Sequence, residues 1–340
     1  VADGRKTAGE ATGVGHYEQS LFTHLQDIAN LRILTGAGFG FHLRGIIETL
    51  RSPRAVYFSP ESLIVPIFLG RRSMLTIHDL TPLLYPERHT LRNRLFHRLF
   101  LRAAVRRVGA ILVPTNAVAR DVTNHFGGRA QRKTHVIYEG VRFDVSRIVN
   151  TAEREKIILY VGTIEPRKNV SLMCRAFARA KRDAPDIADW RLVIVGKRGW
   201  LSADETADLD EALMDAGAEE LGYQPNDYVQ WLYANASVFC YVSEAEGFGL
   251  PPLEAMAHGT PVIVSDDAAL TEVAEGAGIV VKRGESMEKD LAAQIVRLTQ
   301  ENGMRADMHD RGLQRAGLFT WEEAARRSLA VAAAITGNNE

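Results

Sequence analysis

Cysteine is nearly absent from this sequence: Cys174 and Cys240 are the only two among 340 residues. Two thiols so far apart give neither a disulfide framework nor a zinc-finger spacing, which points to a reducing cytosol. Net charge is equally small, with 41 Lys and Arg against 42 Asp and Glu. A balanced chain has no global positive field of the kind that marks a nucleic-acid partner, so any anion site has to be local. No apolar run approaches the roughly 18 residues that span a bilayer, and Val1-Ala2-Asp3-Gly4-Arg5 is not a signal peptide. Short-period repeats and long low-complexity tracts are missing too, which excludes a solenoid.

What is present is an ordinary globular composition on a long chain. A hydrophobic fraction of 46% and a charged fraction of 24% argue against disorder, and 340 residues exceed what one core usually serves. Short β-rich runs alternate with helical patterns: Ala55-Val56-Tyr57-Phe58, Met74-Leu75-Thr76-Ile77, Ala110-Ile111-Leu112-Val113 and His135-Val136-Ile137 in the first half. Between them Tyr17, Leu21, Leu25 and Ile28 recur at helical spacing, as do Leu95, Leu99 and Ala103.

From Val141 to Lys156 the sequence turns polar and loses its period. It restarts with Ile157-Ile158-Leu159-Tyr160-Val161, then Leu192-Val193-Ile194-Val195, Val238-Phe239-Cys240-Tyr241-Val242 and Pro261-Val262-Ile263-Val264. The expectation is an α/β chain of two doubly wound Rossmann-like domains, 1–150 and 151–318, with a closing helix in 319–340. The chain opens on Val1 almost at a turn, so a first strand is expected to be truncated or missing.

The most specific stretch is Ser243-Glu244-Ala245-Glu246-Gly247-Phe248-Gly249-Leu250-Pro251-Pro252-Leu253-Glu254, directly after an apolar strand. Gly247 and Gly249 let backbone approach a ligand closely, and Pro251 and Pro252 suit the first turn of a helix. Backbone N–H groups at Gly249 and Leu250 can then face an anion. Glu246 and Glu254, ionised, are acceptors only and suit sugar or ribose hydroxyls rather than phosphate. Glu254 alone is explained as well by a helix start that favours an acid.

Val161-Gly162-Thr163-Ile164-Glu165-Pro166-Arg167-Lys168-Asn169 is a second strand end with a turn that opens a helix. Arg167 offers a fork and Lys168 a point charge for phosphate; a solvated basic turn is the alternative. Neither Gly13-Val14-Gly15 nor Gly36-Ala37-Gly38-Phe39-Gly40 completes a dinucleotide fingerprint, which makes a nicotinamide cofactor an unsuitable reading.

Glu246-Gly-Phe-Gly-Leu-Pro-Pro-Leu-Glu254 resembles the retaining GT-B glycosyltransferases of the family-4 group, which include many mannosyl-, glucosyl- and rhamnosyltransferases. The resemblance implies two Rossmann-like domains facing a cleft. It puts Glu246, with Gly247 and Phe248, at the transferred sugar and Glu254 at the donor ribose. Arg167 and Lys168 fall at the donor diphosphate, with Gly15, Gly249 and Leu250 beside it. Many members carry an Arg where this chain has Thr163, which leaves open how many cations hold the phosphates.

Further residues follow from the same likeness. His78, in Leu75-Thr76-Ile77-His78-Asp79, ends a strand and is assigned to the sugar or reacting centre, with Glu246 and Lys168 as its catalytic companions; capping by His78 or Asp79 is the plain alternative. Gly196, Lys197 and Tyr223 border the nucleotide base, where turn chemistry and core packing would serve equally well. Pro114-Thr115-Asn116 follows another strand. Phe319-Thr320-Trp321 leads into a closing helix that crosses back toward the first domain.

The activity implied is transfer of a hexose, mannose from GDP-mannose first, to a glycan or lipid-linked oligosaccharide of a bacterial polysaccharide. The nucleotide sugar is a substrate, with no cofactor and no metal expected. Attack on the front face, assisted by the leaving phosphate, is the retention mechanism the family implies. A GT-B nucleotide-sugar epimerase and a non-catalytic nucleotide-sugar-binding protein are the alternatives; a phosphorylase would need a much longer chain. Arg92, Arg94, Arg98, Arg102, Arg106 and Arg107 share residues 91–108 with Leu95, Phe96, Leu99, Phe100 and Leu101. This basic amphipathic helix either lies on anionic lipid at the inner face of the plasma membrane, receives a lipid diphosphate acceptor, or is an ordinary surface helix packed on the first sheet. A cytoplasmic location is expected in each case.

Overall fold

A computed structural model describes residues 1–6, 13–84, 97–141 and 149–337. The chain divides into two compact units, Val1–Gly140 with Phe319–Glu340, and Val141–Leu318. The polar interval expected to separate the domains begins where the second unit begins, and residues 142–148 of it lie outside the described residues.

The first unit holds a parallel sheet in the order β2-β1-β3-β4-β5-β6. Its strands are β1 Ala2–Asp3, β2 Ile33–Leu34, β3 Tyr57–Ser59, β4 Ser73–Thr76, β5 Ala110–Val113 and β6 Thr134–Val136. The expected strand runs fall on β3 to β6 within a residue or two. The first strand, expected to be truncated or missing, is the two-residue β1, which pairs Ala2 with Ile33 on one side and Phe58 on the other.

Leu75, Ile111 and Val113 form the core with Leu101, Ala104, Val105 and Val118 from the covering helices. The Trp321–Thr336 helix packs along the Gly13–Ile28 helix. Thr320 starts it by accepting the Glu323 N–H at 3.2 Å, the hydroxyl cap that satisfies an orphan donor.

The second unit holds β7 Glu155–Val161, β8 Arg191–Val195, β9 Glu219–Gly222, β10 Ala236–Tyr241, β11 Val262–Ser265 and β12 Ile279–Val281. All neighbours are parallel, in the order β12-β11-β10-β7-β8-β9. β7, β8, β10 and β11 are the continuous apolar runs of the sequence, buried on both faces as parallel strands require. Counted from β7, this is the nucleotide-binding order 3-2-1-4-5-6, with its switch point between β7 and β10. The loops that leave β7 and β10 carry the two motifs.

Of the basic segment 91–108, the described residues 97–107 are helical and open on a π turn. Residues 91–96, with Arg92, Arg94, Leu95 and Phe96, lie outside the described residues, as does the side chain of Arg98. His97–Leu101 is a π turn and Arg102–Arg107 an α-helix. The extra residue of a π turn rotates the face. Leu101, Ala104 and Val105 are therefore buried, while Leu99 and Phe100 stand exposed.

Candidate functional site

The loop after β7 is built to place two cations. Pro166–Lys168 forms one 3-10 turn, and Asn169 closes it with φ at 54°, the left-handed conformation that Asn tolerates. The Asn169 side-chain amide donates to the Val242 carbonyl at 3.0 Å and so ties this turn to the end of β10. The Arg167 carbonyl reinforces the tie by accepting from the Glu244 N–H at 2.7 Å and the Ser243 hydroxyl at 3.1 Å.

Lys168 is buried beneath that turn, its Nζ donating to the Tyr241 hydroxyl at 2.5 Å and to Glu246 Oε1. The ammonium also lies 4.8 Å from the centre of the Tyr241 ring. Arg167 reaches the Ala245 carbonyl at 2.7 Å, Glu165 at 2.7 Å and Glu246 at 3.0 Å. Burial pushes the Glu246 carboxyl up, but Lys168 and Arg167 outweigh it and hold its pKa at about 2. Burial draws the Lys168 pKa down against the pull of Glu246. Glu246 is therefore an acceptor throughout the neutral range and has no proton to give.

The glycines of the β10 loop have a steric reason. Gly249 has φ at 100°, and a Cβ there would stand 2.6 Å from Leu270 Cδ2. It starts the Leu250–Ala257 helix, where Pro251 and Pro252 occupy the first turn without N–H groups of their own. Gly249 and Leu250 are left as the backbone donors an anion can meet at that start. Glu254 lies beyond the first turn, so complementing the helix start is not its role. Its Oε2 accepts from the buried Tyr233 hydroxyl at 2.9 Å.

Gly196, Lys197 and Tyr223 come together at the ends of β8 and β9. A Cβ on Gly196 would run into the Gly162 carbonyl, so glycine lets the β7 and β8 loops touch. The Lys197 ammonium stands 5.1 Å from the Tyr223 ring centre, and Tyr223 is exposed.

In the first unit, His78 follows β4 and contacts Glu139 through Nδ1 at 3.3 Å. The Tyr17 ring meets its edge at 4.7 Å, and the Tyr17 hydroxyl bonds Thr76 at 3.1 Å. Burial opposes the imidazolium, but Glu139 more than offsets it, and the His78 pKa is raised. Nε2 is buried without a hydrogen-bond partner among the described residues. Asp79 caps instead: it accepts from the Thr81 N–H at 2.8 Å and hydroxyl at 2.6 Å. Gly15 lies buried in the first turn of the Gly13–Ile28 helix. Thr115 caps the Asn116–Phe126 helix.

Sequence reasoning missed Glu139, Tyr233 and Tyr241. Glu139 is a lone acid three residues past β6, and its strand-end position is the only signal it carries. The two tyrosines read as core residues, which they also are.

The profile of the group 1 glycosyl transferases matches residues 141–315, and that of glycosyltransferase family 4 matches residues 29–145. An Escherichia coli O-antigen chain mannosyltransferase B is 35% identical over 176 residues, 50% of this chain and 44% of that protein. The Salmonella typhimurium O-antigen chain mannosyltransferase RfbU is 30% identical over 217 residues, 63% of this chain and 57% of its own. The chain thus spans about half the length of the curated relatives it matches.

Among solved structures, HepE of Anabaena in complex with UDP and glucose has a TM-score of 0.76 at 17% identity, covering 98% of both chains. Sucrose-phosphate synthase of Thermosynechococcus elongatus has a TM-score of 0.75 at 17% identity, covering 99% of this chain and 98% of its own. At such identity the likeness establishes the fold. With its two parallel six-stranded sheets and a group 1 profile matched over more than half its residues, the chain belongs to the GT-B glycosyltransferases of group 1.

Proposed function

We propose that this chain transfers a hexose from a nucleoside-diphosphate sugar, with retention of configuration, and that its donor binds at the loops leaving β7 and β10. The observation that carries the reading is the Lys168–Glu246–Arg167 network at the switch point of a 3-2-1-4-5-6 sheet. Arg167, Lys168 and the Gly249 and Leu250 N–H groups take the diphosphate. Its negative charge grows as the glycosidic bond breaks, and cations already fixed in place stabilise that change.

Glu246, ionised and rigidly held, accepts sugar hydroxyl hydrogens. It positions and stabilises rather than donating a proton. Glu254 accepts a ribose hydroxyl while Tyr233 fixes its other oxygen. Lys197 and Tyr223 border the base, and His78 offers Nε2 to a sugar hydroxyl. Relatives named as mannosyltransferases favour mannose from GDP-mannose as donor, and a glycan or lipid-linked glycan of a surface polysaccharide as acceptor. No helix among the described residues is long and apolar enough to cross a membrane, and we place the reaction on the cytoplasmic side.

A thermal-shift and turnover panel of GDP-, UDP- and dTDP-hexoses tests the reading. GDP-mannose should give the largest stabilisation, and transfer to acceptor should yield an α-linked product from the α-linked donor. An inverted product would overturn retention. Interconversion of the donor sugar with no acceptor present would turn the assignment to epimerisation.

A further inference from the structure

At the opposite end of the first sheet, where the chain enters β4, β5 and β6, lies a cavity of about 420 Å³. Arg71, Arg106, Arg107, Arg129 and Lys133 line it around Gly109, and among the described residues no carboxylate does. A side chain at 109 would collide with the Arg71 carbonyl and stand 3.2 Å from Ile335 Cγ1, so glycine is what lets these walls close together. Lys133 is fixed by donating to the Val108 carbonyl at 2.8 Å, leaving its charge at the cavity wall.

Several arginines elsewhere in this chain pair with carboxylates. Arg191 meets Glu219 at 2.6 and 2.8 Å, Arg198 meets Glu220 at 2.7 and 2.6 Å, and Arg283 meets Asp266 at 2.6 Å. The four cavity arginines make no side-chain hydrogen bond or ion pair with any described residue. Burial lowers the Lys133 pKa, and the nearby charges of Arg129 and Arg71 lower it further. Four arginines around one hollow carry the guanidinium forks that suit the oxygens of phosphate.

We propose that this cavity binds a compact phosphate-bearing anion, of the diphosphate or phosphomonoester class, at a site separate from the donor loops. Such an anion is either free in solution or the headgroup of a lipid, and the two sources share the recognition chemistry.

The test is calorimetric titration of inorganic pyrophosphate into the intact protein, its Arg106→Gln/Arg129→Gln variant and its Lys168→Gln variant. Arg106 and Arg129 are exposed, so their replacement should leave the circular dichroism unchanged. The double variant should lose, or weaken at least tenfold, a binding event that Lys168→Gln retains. Arg71→Gln, on another wall, should weaken the same event. Raising the salt concentration should weaken it in the intact protein.

Co-sedimentation with phosphatidic acid vesicles, absent with phosphatidylcholine alone and lost in the double variant, supports the site with a headgroup as its anion. Pyrophosphate binding without co-sedimentation supports it with a soluble anion. Equal pyrophosphate binding and equal co-sedimentation by the intact protein and the double variant would overturn the proposal. A change confined to Lys168→Gln would leave the donor assignment standing and remove this one.

Discussion

The two sheets of this chain share an architecture and differ in what their switch points hold. In the second unit, the loops leaving β7 and β10 are cross-linked by Asn169 to Val242, Arg167 to Ala245 and Lys168 to Glu246. In the first, the switch point between β1 and β3 holds Arg5 on Asp3 at 2.8 Å and Lys6 on Glu61 at 2.6 Å, and His78 Nε2, with no partner among the described residues, lies instead beyond β4. The fold positions strand ends in both. In the second, two cations converge on one buried carboxylate, whereas the described charges of the first pair off one to one, which is why function is argued from the site and not from the fold.

The largest break in this contrast should come from Lys168→Ala. Removing a cation aimed at the leaving diphosphate should lower turnover by about 10²–10³-fold in a steady-state assay. It also takes from the buried Glu246 one of its two cations and leaves Arg167, so the variant should lose about 1–3 kcal/mol in chemical denaturation. Turnover at the intact level in a folded variant would remove Lys168 from the mechanism.

Gly249→Ala should follow in size. A Cβ at φ near 100° and beside Leu270 strains the turn that starts the Leu250–Ala257 helix, and denaturation should register a loss of about 1–3 kcal/mol. An unchanged midpoint would mean that the turn tolerates a side chain and that glycine serves something else there.

A smaller effect is read along the pH axis. Glu246 has its pKa held at about 2, below the value of 4.5 for a free carboxyl. Its pairing therefore stabilises the native state fully above pH 4.5 and is lost as the pH falls toward 2. Stability profiles of the intact protein and Glu246→Gln should converge over that window; parallel profiles would contradict the pairing.

The smallest expected change lies in the first unit. Glu139→Gln should lower the His78 pKa in an NMR titration, since Glu139 is what raises it. With the raised pKa, the pair stabilises the fold fully below 6.5 and loses that contribution as pH rises through the His78 value. An unmoved imidazole would show that Glu139 is not its partner in solution.

The same contrast explains what could be read from the residues alone. β7, β8, β10 and β11 are long, apolar and buried on both faces, so their runs stand out, and the glycine-proline motif follows directly on β10. β1 and β2 have two residues each and β12 three, too few to set a period. β9 reads Glu-Glu-Leu-Gly because it is an edge strand whose acids pair with Arg191 and Arg198. The motif acids were legible as acceptors. Their partners were not, because Tyr233 and Tyr241 look like core, and nothing in sequence distance links Glu139 to His78.

Hydrogen exchange with and without a nucleoside diphosphate tests the central claim most directly. The nucleotide should slow amide exchange in 163–170 and 244–253, the two loops at the β7–β10 switch point. Protection that bypasses both loops and falls at the ends of β1 and β3 would contradict it.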